Sequence, residues 1–197
     1  MNGDSSAPVL VRAAADRAHQ AGFALSCETA VGRLLAVLAG HLPAGARLLE
    51  LGTGAGVGTA WLVSGLLPRT DATVTTVEID PRLAALAAKG DWPAFVRRRR
   101  GSALDVLAEE AGFDLIFADA PAGKWEGLDR TIAALRPHGL LIVDDMTPAP
   151  GWTAQQHVHA QRVRETLLTT PLLTSAELRH GSGVILSTRV AVDQARS

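Results

Sequence analysis

Short apolar runs recur along the middle of the chain, at residues 47–51, 73–79, 95–99, 114–118 and 140–143, and read as buried strands. Between them, residues 59–67, 81–89, 103–110 and 127–135 read as helical stretches. Pro81 suits a first helical turn, and Pro137 with Gly139 is predicted to end the fourth of these helices. Two helical stretches precede the alternation. Residues 8–20 are rich in Ala and Arg, and residues 28–38 place Val31, Leu34, Leu35 and Leu38 on one face before Pro43-Ala44-Gly45 breaks the pattern.

The order changes towards the end of the chain. A helical segment at residues 155–168 is followed by two β-rich runs, 172–179 and 184–190, joined by His180-Gly181-Ser182-Gly183. So short a glycine-rich link predicts an antiparallel hairpin. The alternation predicts an α/β fold with a doubly wound, mostly parallel sheet, helices on both faces, and the hairpin at one end. Residues 1–197 read as one domain, without internal repeat or low-complexity linker. The helices within residues 1–40 are apolar enough to cover a site or to pair with another subunit.

Composition then removes several partners. Hydrophobic residues at 47% and charged residues at 20% are ordinary for a soluble globular protein. A net charge of −1 and the absence of Tyr argue against nucleic acid, which needs a basic field or a base-stacking surface. The basic run at residues 97–100 has no interleaved aromatics and reads as a solvated strand edge. No apolar run reaches the roughly 18 residues of a membrane helix, so no membrane is expected. The opening Met1-Asn2-Gly3-Asp4-Ser5-Ser6 lacks the pattern of a secretion signal, which makes a cytoplasmic location the expectation. Cys27 stands alone, leaving no intrachain disulfide or zinc cluster, and reads as a small packed residue.

The densest chemistry lies in Leu48-Leu49-Glu50-Leu51-Gly52-Thr53-Gly54-Ala55-Gly56-Val57-Gly58. A strand, an acid and a glycine-rich turn that opens a helix make a cradle for a nucleotide-like cofactor. Val57 stands where a strict dinucleotide fingerprint requires glycine, which weakens an NAD-linked reductase without removing it. Glu78 closes the next strand, where a carboxylate accepts from ribose hydroxyls. Glu50 is more telling. Negative charge beside a pyrophosphate is repulsive, whereas a cofactor carrying an ammonium and a sulfonium welcomes it.

Residues 48–58, 77–80, 101–103, 114–119 and 140–145, in that order, resemble the motifs of S-adenosylmethionine (SAM)-dependent methyltransferases. Within that superfamily the chain is similar to the small O-methyltransferases of the catechol and caffeoyl-CoA type, over roughly residues 24–190. The resemblance implies a Rossmann-like seven-stranded fold, SAM as cofactor, a small hydroxylated acceptor and a homodimer. It also implies that Glu50, Gly52, Thr53, Gly54, Gly56 and Gly58 hold the methionine moiety, that Glu78 meets the ribose, and that Ser102 and Ala103 meet the adenine, with Ile79 and Asp119 also against the cofactor. Gly58 departs from the family's small hydroxyl residue, and Thr59 is expected to substitute in part. Residues 26–29 resemble the segment that closes over the cofactor.

Asp119 ends one strand, and Asp144 with Asp145 ends the next. If those strands are neighbours, ~4.8 Å apart, three carboxylates meet at the edge where open α/β sheets bind ligands. Such crowding calls for a compensating cation, most economically Mg²⁺, unless the acids cap the turn at Thr147-Pro148. The family's metal set ends in Asn where this chain has Asp145. Lys124 is one of two lysines beside 17 arginines. It stands five residues after Asp119, against three in the family, so it either loops back as a base or sits in solvent. His157 and His159 are alternative bases. The expected reaction is O-methylation of a small catechol-like or vicinal-diol acceptor, with Asp119 and Lys124 catalytic. Metal-free methyl transfer and SAM binding without catalysis are the other readings.

Overall fold

A computed structural model describes residues 6–191 of the chain, so the N-terminal stretch Met1 to Ser5 read above lies outside it. Two helices, α1 (Val9–Gln20) and α2 (Thr29–His41), lead into the alternation β1 (Arg47–Leu51), α3 (Val57–Leu66), β2 (Thr73–Glu78), α4 (Pro81–Ala87), β3 (Val96–Arg100), α5 (Ala103–Glu109) and β4 (Phe113–Ala118). The short turn α6 (Pro121–Lys124), helix α7 (Leu128–Ala134), β5 (Leu135–Val143), helix α8 (Ala154–Thr169) and the hairpin β6 (Leu173–Leu178) and β7 (Val184–Arg189) follow. The seven strands form one sheet in the order β3-β2-β1-β4-β5-β7-β6. β1 pairs in parallel with β2 and β4, and β5 pairs in parallel with β4, while β7 is antiparallel to both β5 and β6.

Alternation of side chains along the strands divides the core into two layers. Leu48, Val74, Leu115, Phe117 and Ile142 face α1, α2 and α3, whereas Leu49, Leu51, Ile116, Leu141 and Val143 face α5, α7 and α8. The central strand β4 is buried along its whole length, as Phe113-Asp114-Leu115-Ile116-Phe117-Ala118 anticipates. The N-terminal helices pack into the domain: α2 carries Gly32 where a Cβ would stand 2.1 Å from the Trp61 ring of α3. Helix starts follow local chemistry. Asp80 caps α4 ahead of Pro81, and Thr153 with Gln156 forms a capping box on α8. No helix among the described residues is long and apolar enough to cross a membrane.

One boundary is corrected. Pro137 and Gly139 do not end a helix; α7 stops at Ala134 and both residues lie inside β5. Leu135 already pairs with Phe113, and the register shifts before Leu140 meets Leu115. That irregularity accommodates a proline without a ladder hydrogen bond. Gly139 is needed for close approach, since a Cβ there would lie 2.7 Å from Phe113 O. The run at residues 97–100 forms an exposed edge strand, as expected, with Arg99 paired to Glu109 at 2.8 Å.

Candidate active site

β1 and β4 are sheet neighbours whose connections leave on opposite sides, and a cleft of about 370 Å³ opens at their C-terminal ends. The glycine turn forms its floor. Gly52 and Thr53 donate backbone N–H groups to Val77 O at 3.0 and 3.1 Å, which pins the turn to β2. Gly52 has φ +100°, and a Cβ there would lie 2.8 Å from Asp119 O, so only glycine lets β1 and β4 exit side by side. Gly56, in the left-handed region, starts α3.

Glu50 lies beneath this turn with 1% of its surface exposed. Its Oε2 accepts from Thr76 Oγ1 at 2.6 Å and from Thr59 Oγ1, the hydroxyl expected to stand in at this position. Oε1 has no donor among the described residues and borders the cleft. A Cβ on Gly58 would stand 2.3 Å from that oxygen, so glycine here leaves the carboxylate its place beneath the start of α3. Burial pushes the Glu50 carboxyl up to about 7, although both threonine hydroxyls pull it down. Thr76 was not legible as a site residue, because its role depends on a neighbouring strand.

Farther along the cleft, Glu78 Oε2 accepts from Gly54 N and Oε1 from Asp80 N, both at 2.8 Å. Each oxygen retains a lone pair. Ile79 is 70% exposed at the rim, and Gly101 and Ala103 line the same end. The Ser102 side chain caps α5 by accepting from Leu104 N. Phe23, Leu25, Ser26 and Cys27 line the opposite wall, just before α2, where residues 26–29 were expected to close the cleft. Cys27 is half-buried, and burial with the surrounding carboxylates pushes its thiol well up, away from nucleophilic use.

At the other end, the parallel pairing of Ala118 with Val143 brings Asp119 beside Asp144 and Asp145. Their nearest ligand oxygens all lie within 4.8 Å of one another. Asp144 Oδ1 accepts from Asp145 N at 2.7 Å and from Ser182 Oγ in the β6–β7 turn, so Asp144 does not cap Thr147-Pro148. Lys124 is not a solvated lysine: its side chain is 3% exposed, with Nζ 3.0 Å from Asp145 Oδ2 and 3.2 Å from Asp144 O. The longer interval after Asp119 is absorbed by α6, where Ala122 and Gly123 leave helical geometry and return Lys124 to the carboxylates. Burial pushes Asp119 well above the ordinary carboxylate range, Lys124 pulls it down, and Asp144 and Asp145 push it up again. Burial raises Asp144 too, against the hydrogen bonds from Ser182 and Asp145.

The two histidines are tied to tryptophans. His159 stacks on Trp125 with centroids 5.4 Å apart, and His157 meets Trp152 edge-on at 5.5 Å. Lys124 Nζ stands 5.6 Å from the centre of the Trp125 ring, so this aromatic pair adjoins the lysine.

Residues 49–146 match the family model for a methyltransferase domain. A Mycobacterium tuberculosis protein described as an O-methyltransferase is 33% identical over 200 residues, spanning 95% of this chain and 88% of its own length. Among solved structures, one from Klebsiella pneumoniae described as an O-methyltransferase superposes with a TM-score of 0.79 at 27% identity, covering 94% of this chain and 91% of the other. The Streptomyces achromogenes O-methyltransferase involved in tomaymycin synthesis, solved in complex with SAM, superposes with a TM-score of 0.76 at 25% identity, covering 94% of this chain and 91% of its own.

Proposed function

Because the chain belongs to the class I SAM-dependent small O-methyltransferases, we propose that it methylates a hydroxyl of a small vicinal-diol or catechol-like acceptor held beside Asp119, Asp144 and Asp145. The observation that carries this reading is the buried Lys124 ammonium among three clustered carboxylates, at the edge of the cofactor cleft. SAM supplies the methyl group on a sulfonium. Glu50 Oε1, buried and without a donor among the described residues, fits its ammonium, and the cradle at Gly58 leaves room for nothing larger than hydrogen. Glu78 receives the ribose hydroxyls, while Ile79 and Ala103 flank the adenine.

The carboxylate trio fits a hard divalent cation such as Mg²⁺, which prefers several oxygen ligands. Such an ion, when bound, lowers the pKa of an acceptor hydroxyl and fixes its angle. Asp119, Asp144 and Asp145 would hold it, with Asp144 Oδ2 free of donors among the described residues. The chain's own contribution is orientation: the acceptor oxygen is set against the cofactor end of the cleft, and much of the rate comes from that placement. Lys124 Nζ hands a proton to Asp145 Oδ2 and thereby becomes the amine that takes the proton of the acceptor hydroxyl. A homodimer is part of the proposal, checked by light scattering of the purified protein.

The 3.0 Å ion pair of Lys124 with Asp145 favours a second reading, in which the lysine itself neutralises the acids and no metal is used. One experiment separates them. Turnover of SAM to S-adenosylhomocysteine is measured over a panel of diols with excess EDTA and after addition of Mg²⁺ or Mn²⁺. Loss of turnover in EDTA with recovery on metal addition supports the first reading, and undiminished turnover in EDTA refutes it.

A further inference from the structure

The link His180-Gly181-Ser182-Gly183 reads in sequence as a turn and nothing more. We infer that Ser182 is a positioning residue, which holds the Asp144 carboxylate in the orientation the acidic cluster requires. The inference rests on the reading that Asp144 serves the acceptor end of the site. Ser182 Oγ donates to Asp144 Oδ1, the same oxygen that accepts from Asp145 N at 2.7 Å. With both donors on one oxygen, Oδ2 is left without a donor among the described residues and one rotation of the carboxylate is selected.

The hydroxyl that does this is itself held firmly. Met146 N donates to Gly183 O and Thr147 N to Ser182 O, both at 2.9 Å, so the turn is stitched to the segment that follows Asp145. Gly183 has φ +83°, and a Cβ there would lie 2.6 Å from Thr147 N, which keeps the two backbones in contact. On the other side, His180 Nε2 donates to Ala30 O of α2 at 2.8 Å. The turn is therefore wedged between the start of α2 and the end of β5. Asp145 N alone is a weaker guide, because Asp145 has φ +57° and a side chain 49% exposed and drawn towards Lys124. A donor from a separate, fixed turn removes the freedom that remains. Partners of this kind, which orient a ligating carboxylate, typically change metal affinity 10- to 100-fold, on the order of magnitude known for metal sites.

The test uses the full chain, with Ser182→Ala and Ser182→Thr as variants. Mn²⁺ alone is titrated and followed by electron paramagnetic resonance, and SAM is titrated calorimetrically into the same samples. Ser182→Ala is expected to weaken Mn²⁺ binding about tenfold or more while leaving SAM affinity little changed, and Ser182→Thr, which keeps the hydroxyl, to restore it. Equal Mn²⁺ affinity in the unaltered protein and Ser182→Ala overturns the inference. So does a threonine variant no better than alanine, or a loss of SAM affinity as large as the loss of metal. If the unaltered protein binds no Mn²⁺, the metal reading fails by itself, and crystal structures decide the role of Ser182. The inference then stands if Asp144 turns in Ser182→Ala and keeps its orientation in Ser182→Thr, and it falls if the carboxylate is unmoved in both.

Discussion

Replacing Glu50 by Gln removes an ionisable group buried under the glycine turn while keeping an oxygen to accept from Thr59 and Thr76. The folded carboxyl is raised from 4.5 to about 7 by burial. Between those values the folded state keeps a proton that the unfolded state has released, so stability contributed by this group falls as pH rises through the window. At about 1.4 kcal/mol per pH unit, the full cost above pH 7 is roughly 3 kcal/mol, and about 2.5 kcal/mol of it develops between pH 5 and pH 8. Glu50→Gln escapes this cost. Without ligand, it should gain about 2.5 kcal/mol on the unaltered protein between those pH values, read by urea denaturation of both at each pH. The other carboxylates are common to the two proteins and cancel in the comparison. Saturating SAM should offset most of that gain at pH 8, because only the carboxylate pairs with an ammonium; loss of one charged hydrogen bond predicts roughly 10- to 100-fold weaker SAM binding, about 1.4 to 2.7 kcal/mol at saturation. A stability difference that is the same at pH 5 and pH 8 would refute the reasoning.

Two further substitutions probe the neighbouring geometry. Gly58→Ala places a methyl 2.3 Å from Glu50 Oε1, so the carboxylate must move; SAM affinity by calorimetry should drop at least about tenfold, and an unchanged affinity would show that Oε1 is not the contact. Lys124→Met keeps the volume but strips the buried counter-charge from Asp119 and Asp145, which should cost about 3 kcal/mol at pH 7 by chemical denaturation and abolish turnover. Full activity in that variant would remove Lys124 from the chemistry.

The sheet was legible because buried strands leave short apolar runs such as Leu115-Ile116-Phe117-Ala118, and the hairpin because a short glycine-rich link permits little else. Pro137 misled for a physical reason. Its meaning as a helix stop is local, whereas its place in β5 depends on Phe113 from another strand. Glu50, Glu78 and the three acids announced themselves by their position at strand ends. Thr76 and Ser182 did not, because a hydroxyl in a strand or turn carries no signal until its partner across 26 or 38 residues is known.

The order of strands and helices, the glycine turn with its acid, and hence the methyl donor are properties of the sequence, since each is written in residues close together along the chain. Whether Lys124 sits in water or among carboxylates is not. The interval of five residues after Asp119 permits both, and the outcome depends on α6 leaving helical geometry at Ala122 and Gly123 and on β5 lying beside β4. Likewise, the free oxygen of Glu50 and that of Asp144 exist only because Thr59, Thr76 and Ser182 arrive from separate elements and occupy the other. Local sequence sets which groups are available. The tertiary packing decides which of their atoms are spoken for, because burial and hydrogen-bond partners are assigned between elements distant in the chain.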